Sequence, residues 1–319
     1  MSGRRNVQIA LLLLAAALLA ATFARPTLQL PRQTFRYVMV FDITQSMNVM
    51  DVSAAGSTRL EYAKKTALDA LSEMPCGTEF GLALFTGHRA FLLITPIEIC
   101  ANYRELSTML SSIDWRMTWE ARSEVAKGLY KSLELLKALP GQTRLVFLTD
   151  GHEAPPLNPD VPPQFAGDKG AIRGLLVGVG GALPVPIPKL DEEGAVQGVW
   201  KSDEVMHIDS FRAEKNAREG KLALNSGTEH LSSLRETYLQ GLADNTGLTY
   251  HRLTETAGLS RELKSAALAI PKITTTDVRG MLALAALLAL VASLVKGPLT
   301  RGRLPLAGGS QAFPPLSGK

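Results

Sequence analysis

The residues best suited to chemistry sit in two short runs. In VMVFDITQSM, residues 38–47, an apolar stretch ends at Asp42, and Thr44 and Ser46 follow at alternate positions. In LVFLTDG, residues 145–151, a second apolar stretch ends at Asp150. Carboxylates and hydroxyls are oxygen-only ligands. Such a set suits a hard divalent cation, Mg²⁺ or alternatively Mn²⁺ or Ca²⁺, whereas zinc prefers nitrogen and sulfur. These groups fill only part of a roughly octahedral shell, so waters or a carboxylate from a partner protein would complete it. Catalysis is not expected. A phosphatase-type D-x-D-x-T pattern lacks its second Asp because position 44 is Thr, and no Cys-His or Ser-His arrangement pairs a nucleophile with a base. The competing structural reading is that Asp42 and Ser46 only cap the segment that follows.

For these side chains to meet, their strands must end side by side. Residues 35–41 and 145–149 are nearly continuous apolar runs, as expected of strands buried on both faces. Residues 80–85 and 90–95 form a hairpin about Gly87-His88, and 171–179 and 248–253 are further strands. Helical spacing marks residues 59–74, 103–113, 123–138, 231–245 and 260–268, while 181–228 reads as irregular. Strands alternating with helices imply an α/β domain. The expected sheet is six-stranded and mostly parallel, with one antiparallel edge strand and helices on both faces. Ligands bind such sheets at the carboxyl ends of the strands, where Asp42 and Asp150 lie. Cys76 and Cys100 stand almost equidistant from the hairpin turn. They are therefore expected to face each other within the roughly 4.4–6.8 Å that a disulfide bridges.

Charge and hydropathy assign the surroundings. Residues 7–24 and 280–295 are apolar and uncharged. The first comes close to the roughly 20 residues that span a bilayer, and the second is near the lower limit. The net charge is +4, but eight of the 34 basic residues and none of the 30 acidic ones lie outside residues 26–278, which leaves that middle at −4. The basic excess belongs to the ends, and nothing in the middle supports nucleic-acid binding. Arg4 and Arg5 before one apolar stretch, and Lys296, Arg301 and Arg303 after the other, would keep both ends cytoplasmic and the middle across the membrane. The expected organisation is a transmembrane anchor or cleaved signal over 1–25, a linker over 26–34, a folded domain over 35–278, a transmembrane helix over 279–296 and a disordered cytoplasmic tail over 297–319.

The D-x-T-x-S run with the later T-D-G resembles the metal-ion-dependent adhesion site of von Willebrand factor A (VWA) domains. The resemblance covers about residues 35–255. It implies a Rossmann-like fold and a metal held by Asp42, Thr44, Ser46, Ser123 and Asp150. Ser123 takes the place of the family's Thr because Gly128-Leu129 follows at the family's spacing. Thr118 is the alternative, since the usual Gly-Gly is absent from WRMTWEARS, residues 115–123. The runs GLLVGVGGALPVPIPKLDEEG and LRETYLQGLADNTGLTYHRL, with apolar stretches at both ends, are similar to bacterial Bat-type VWA membrane proteins. Within that group the chain is most similar to the VWA accessory proteins of methanol dehydrogenase. The resemblance implies an inner-membrane protein with its VWA domain in the periplasm. It implies a role in assembling or activating methanol dehydrogenase, including calcium insertion. It also implies other VWA proteins and a MoxR-type AAA+ ATPase as partners, with an Asp or Glu of a partner protein on the metal. A membrane scaffold of a Bat/MoxR-type complex without a working metal site is the alternative function.

Other polar residues have plainer readings. His152 and Glu153 are expected on a solvated loop, Asp191, Glu192 and Glu193 in a solvated turn, and His88 exposed at the hairpin. Trp115 and Trp119 either pack on the sheet or face a partner.

Overall fold

The computed structural model describes residues 2–52, 56–158, 161–207, 214–216, 218–219, 227–254 and 256–294. In chain order the elements are α1 (Ser2–Phe23), β1 (Thr27–Thr34), β2 (Arg36–Asp42), α2 (Arg59–Glu73), β3 (Glu79–Thr86), β4 (Arg89–Glu98), α3 (Tyr103–Ser112), α4 (Val125–Lys137) and β5 (Arg144–Thr149). They continue with β6 (Gly174–Gly178), β7 (Val185–Pro186), β8 (Pro188–Leu190), β9 (Val196–Val199), β10 (Leu231–Ser232), α5 (Glu236–Thr246), β11 (Thr249–Arg252), α6 (Thr256–Leu263), β12 (Ile270–Asp277) and α7 (Arg279–Leu294).

The chain divides into two compact units, Pro31–Ile273 and the two ends together. The larger unit holds a six-stranded sheet in the order β11-β6-β5-β2-β3-β4. All pairs are parallel except β3–β4, which matches the expected sheet. Alternation along the strands builds two cores. Met39, Phe41, Leu82, Leu84, Val146, Leu148 and Val177 pack toward α2, α3 and α6. Val38, Val40, Ala83, Phe85, Leu145, Phe147 and Leu176 pack toward α4 and α5. Cys76 and Cys100 are bonded across the open end of the β3–β4 hairpin with Cα atoms 5.3 Å apart, as the pairing geometry required.

Several boundaries differ from the sequence expectation. Residues 26–34 are not a linker, because β1 fills them and pairs with β12. That ladder satisfies backbone groups an isolated linker would leave to water. Residues 231–245 are not one helix. Leu231 and Ser232 pair with β7, and Arg235 N donates to Asp150 O at 2.9 Å before α5 begins. Helix α4 begins at Val125 rather than 123, because Ser123 is held in bridges to Gly87 and Ala154. The 181–228 stretch carries the small β8–β9 hairpin, and parts of it lie outside the described residues.

In the unit of chain ends, α1 packs on α7, and Gln8 Nε2 donates to Ser293 O at 3.1 Å. Arg5–Phe23 is 19 residues long with a mean hydropathy of 2.1, enough by length and composition to cross a membrane. Helix α7, expected to span over 279–296, is described for 16 residues, short of the roughly 20 a span needs. The tail expected over 297–319 lies outside the described residues.

Candidate metal centre

Asp42 is the last residue of β2 and is fully buried. Its Oδ1 accepts from Thr44 N at 2.9 Å and Thr44 Oγ1 at 2.7 Å, and its Oδ2 accepts from Thr149 Oγ1 at 2.6 Å. The turn after β2 thus folds Thr44 back over the carboxylate and leaves Thr44 Oγ1 3.3 Å from Ser46 Oγ. Burial, and then the charge of Asp150, push the Asp42 carboxyl up to about 7, against the pull of the Thr149 and Thr44 hydrogen bonds. A divalent cation would reverse that shift by favouring the ionised form.

Ser123 comes from a separate segment. Its backbone exchanges two 2.7 Å hydrogen bonds with Ala154, and Glu124 N donates to Gly87 O. Its side chain is buried, and its Oγ has no hydrogen-bond partner among the described residues. A buried hydroxyl without a partner is costly, so a missing ligand is the natural account. Ser123, Thr44, Ser46 and His152 line one cavity of about 250 Å³. Thr118 is committed elsewhere, with its Oγ1 2.7 Å from Thr86 Oγ1 and 2.9 Å from Glu120 O. The donors present therefore fit a hard cation, with Ser123 rather than Thr118 free to contribute.

Asp150 follows β5 and is also fully buried, and, as at Asp42, both of its oxygens have partners. Oδ1 accepts from His152 N at 2.9 Å, and Oδ2 accepts from Ser232 Oγ at 2.9 Å and from Arg59 Nη1 at 2.5 Å. Burial raises its pKa, but the charge of Arg59 and these donors outweigh burial and hold Asp150 below its usual range. The Arg59 side chain is fully buried as well, and its other edge grips Asp51 with two bonds of 2.9 and 2.6 Å. With Asp42, Asp51, Asp150 and Arg59 all ionised, the cluster carries two net negative charges, which one divalent cation balances.

Arg59, Asp51, Ser232 and Thr149 were not singled out from the sequence. Arg59 left one signal, since it lies on the same helical stripe as the buried Ala63, Thr66, Ala67 and Ala70. His152 and Glu153 are not on a solvated loop. His152 is buried, and burial lowers its pKa against the charges of Asp150 and Glu229. The Glu153 carboxylate accepts from Val125 N at 3.0 Å and Ala126 N at 2.8 Å, which caps α4, and from Tyr238 Oη at 2.5 Å. Trp115 packs partly against the core, whereas Trp119 is exposed and meets Phe91 edge-on at 6.2 Å.

Residues 37–152 match the model of the von Willebrand factor type A domain. A UPF0353 protein of Mycolicibacterium paratuberculosis is 30% identical over 160 residues, covering 50% of this chain and 47% of that protein. A UPF0353 protein of Mycobacterium tuberculosis is 27% identical over 169 residues with the same coverage. The chain thus spans about half the length of the curated relatives it matches. Among solved structures, an aerotolerance-related membrane protein of Bacteroides fragilis is 18% identical, covering 72% of this chain and 96% of that one, with a TM-score of 0.47. The match to the von Willebrand factor type A domain runs from Tyr37 to His152 and takes in both strand-end aspartates and the serine between them.

Proposed function

We propose that this chain is a membrane-anchored, metal-dependent protein-binding module and not an enzyme. Asp42, Thr44, Ser46, Ser123 and Asp150 hold a divalent cation, Mg²⁺ or alternatively Mn²⁺ or Ca²⁺, with Asp150 sharing its charge with Arg59. The cation's open position accepts an Asp or Glu from a partner protein, and the cavity beside Ser123 and Ser46 gives that side chain access. The observation that carries the reading is the buried, unpartnered Ser123 hydroxyl in the same cavity as Thr44 and Ser46. The net charge of the surrounding cluster supports it. Helix α1 supplies the membrane anchor, and the basic residues near the chain ends favour a periplasmic domain.

The finer reading, on the resemblance to methanol dehydrogenase accessory VWA proteins, is a role in assembling or activating that periplasmic enzyme, including calcium insertion. Other VWA proteins and a MoxR-type AAA+ ATPase are the proposed partners.

The test is affinity capture of the full chain from membranes, followed by mass spectrometry. Asp42→Ala and added EDTA should each abolish partner capture while circular dichroism shows an intact fold. Capture that survives both treatments rejects the metal-dependent reading.

A further inference from the structure

Arg59 lies outside the ligand set yet touches Asp150, the Ser46 backbone, Ser232 and Asp51. It opens α2 on the far side of the loop that carries Ser46 and Asp51. Its Nη1 contacts Asp150 Oδ2 at 2.5 Å, Ser232 Oγ at 2.6 Å and Ser46 O at 3.3 Å. Its Nη2 contacts Asp51 Oδ2 at 2.6 Å and Ser232 O at 3.3 Å. The loop after β6 is shaped around the pair. Gly181 N donates to Asp51 Oδ2 at 2.9 Å, and a Cβ at Gly180 would come within 2.9 Å of Arg59 Nε.

A fully buried guanidinium needs counter-charge, and this one takes it from Asp150, a carboxylate that a cation would otherwise attract. We propose that Arg59 is a built-in counter-cation of the metal centre, a positioning residue that engages Asp150 ahead of the metal and sets how strongly the site attracts a divalent ion. The inference rests on the metal-binding reading above. Asp51 is its other half. By sharing the guanidinium, Asp51 limits how much of the Asp150 charge Arg59 cancels. With Asp42 ionised, as a bound cation would favour, the local net charge is two negatives in the native chain, three without the arginine charge and one without the Asp51 charge. Charge–charge attraction in so buried a setting is screened far less than at the surface.

The two substitutions therefore act in opposite directions. The full chain in detergent micelles is titrated with Mn²⁺ or Mg²⁺ by calorimetry as the native protein, as Arg59→Gln and as Asp51→Asn. Arg59→Gln should bind the ion roughly tenfold tighter, and Asp51→Asn several-fold more weakly. A merely structural arginine predicts weaker binding for both, and that outcome, or unchanged affinity in both, overturns the proposal while leaving metal binding by the native chain intact. If Arg59→Gln does not fold, Arg59→Lys decides: it keeps the positive charge but loses the planar fork, so affinity should stay within a few-fold of native, and a large loss would overturn the proposal. If neither the native chain nor Arg59→Gln binds either ion, the metal-binding reading falls and this proposal with it.

Discussion

The Oγ1 atoms of Thr86 and Thr118 lie 2.7 Å apart, which ties the loop before Ser123 to the end of β3. Thr118 also donates to Glu120 O, so two neighbours already fix the direction of its hydroxyl. Ser123 has the opposite situation, a buried hydroxyl without a hydrogen-bond partner among the described residues. Ser123→Ala should weaken Mg²⁺ binding by roughly 10–100-fold or more, the cost of disturbing even the outer partners of a metal site. Thr118→Ala should leave it within about twofold of native at a small stability cost. Calorimetric titration of both variants decides between the two residues, and equal losses would return Thr118 to the ligand set.

Glu153 gives the fold a pH dependence whose sign is fixed. Burial pushes its carboxyl up to about 7, although Tyr238, Ala126 and Val125 donate to it. A carboxyl with a raised folded-state pKa binds more protons folded than unfolded, so stability falls as pH rises from about 4.5 to about 7. Melting temperatures of the metal-free chain should therefore decline across that window, and Glu153→Gln should flatten the decline. A native profile that rises through this range would contradict the assignment.

Gly128 lets α4 close on the sheet. A Cβ there would sit 2.0 Å from a ring carbon of Phe85, itself fully buried. Gly128→Ala should cost about 1–3 kcal/mol through overpacking, read as a lower denaturant midpoint at unchanged slope. A neutral result would show that the Phe85 ring can move aside.

The disulfide closes a loop between residues 24 apart in sequence. Cys76→Ser with Cys100→Ser should lower stability by about 3–4 kcal/mol on the chain-entropy account. Denaturant melts of the double variant against the native chain, both without reductant, provide the check. Equal stability would mean that the hairpin alone fixes this end of the sheet.

The sheet was legible because each central strand is a continuous apolar run that stops at a chemically distinct residue, as Phe41 does before Asp42. The Cys76–Cys100 bridge was legible because hairpin pairing converts sequence distance from a turn into spatial opposition. Strand β1 was not, because its partner β12 lies some 240 positions away and Pro31 interrupts the expected pattern. The places of Asp42 and Asp150 could be read from strand ends, whereas Ser123 followed only from the family spacing before Gly128-Leu129. The Arg59 pairing could not, because Arg59 and Asp150 are 91 residues apart and only the folded sheet brings them together. His152 and Glu153 follow a strand-end Asp and look like loop residues. Their burial depends on Ser123, Tyr238 and α4 arriving from elsewhere.

The two-sided clamp on Ser123, made of its paired bonds to Ala154 and the neighbouring bond from Glu124 to Gly87, has a kinetic implication. A backbone pinned on both flanks leaves the Ser123 hydroxyl only the rapid rotation of its own side chain. Capture would then proceed at the speed of ion dehydration and diffusion, with no slow loop closure, and release on adding a chelator should follow a single exponential.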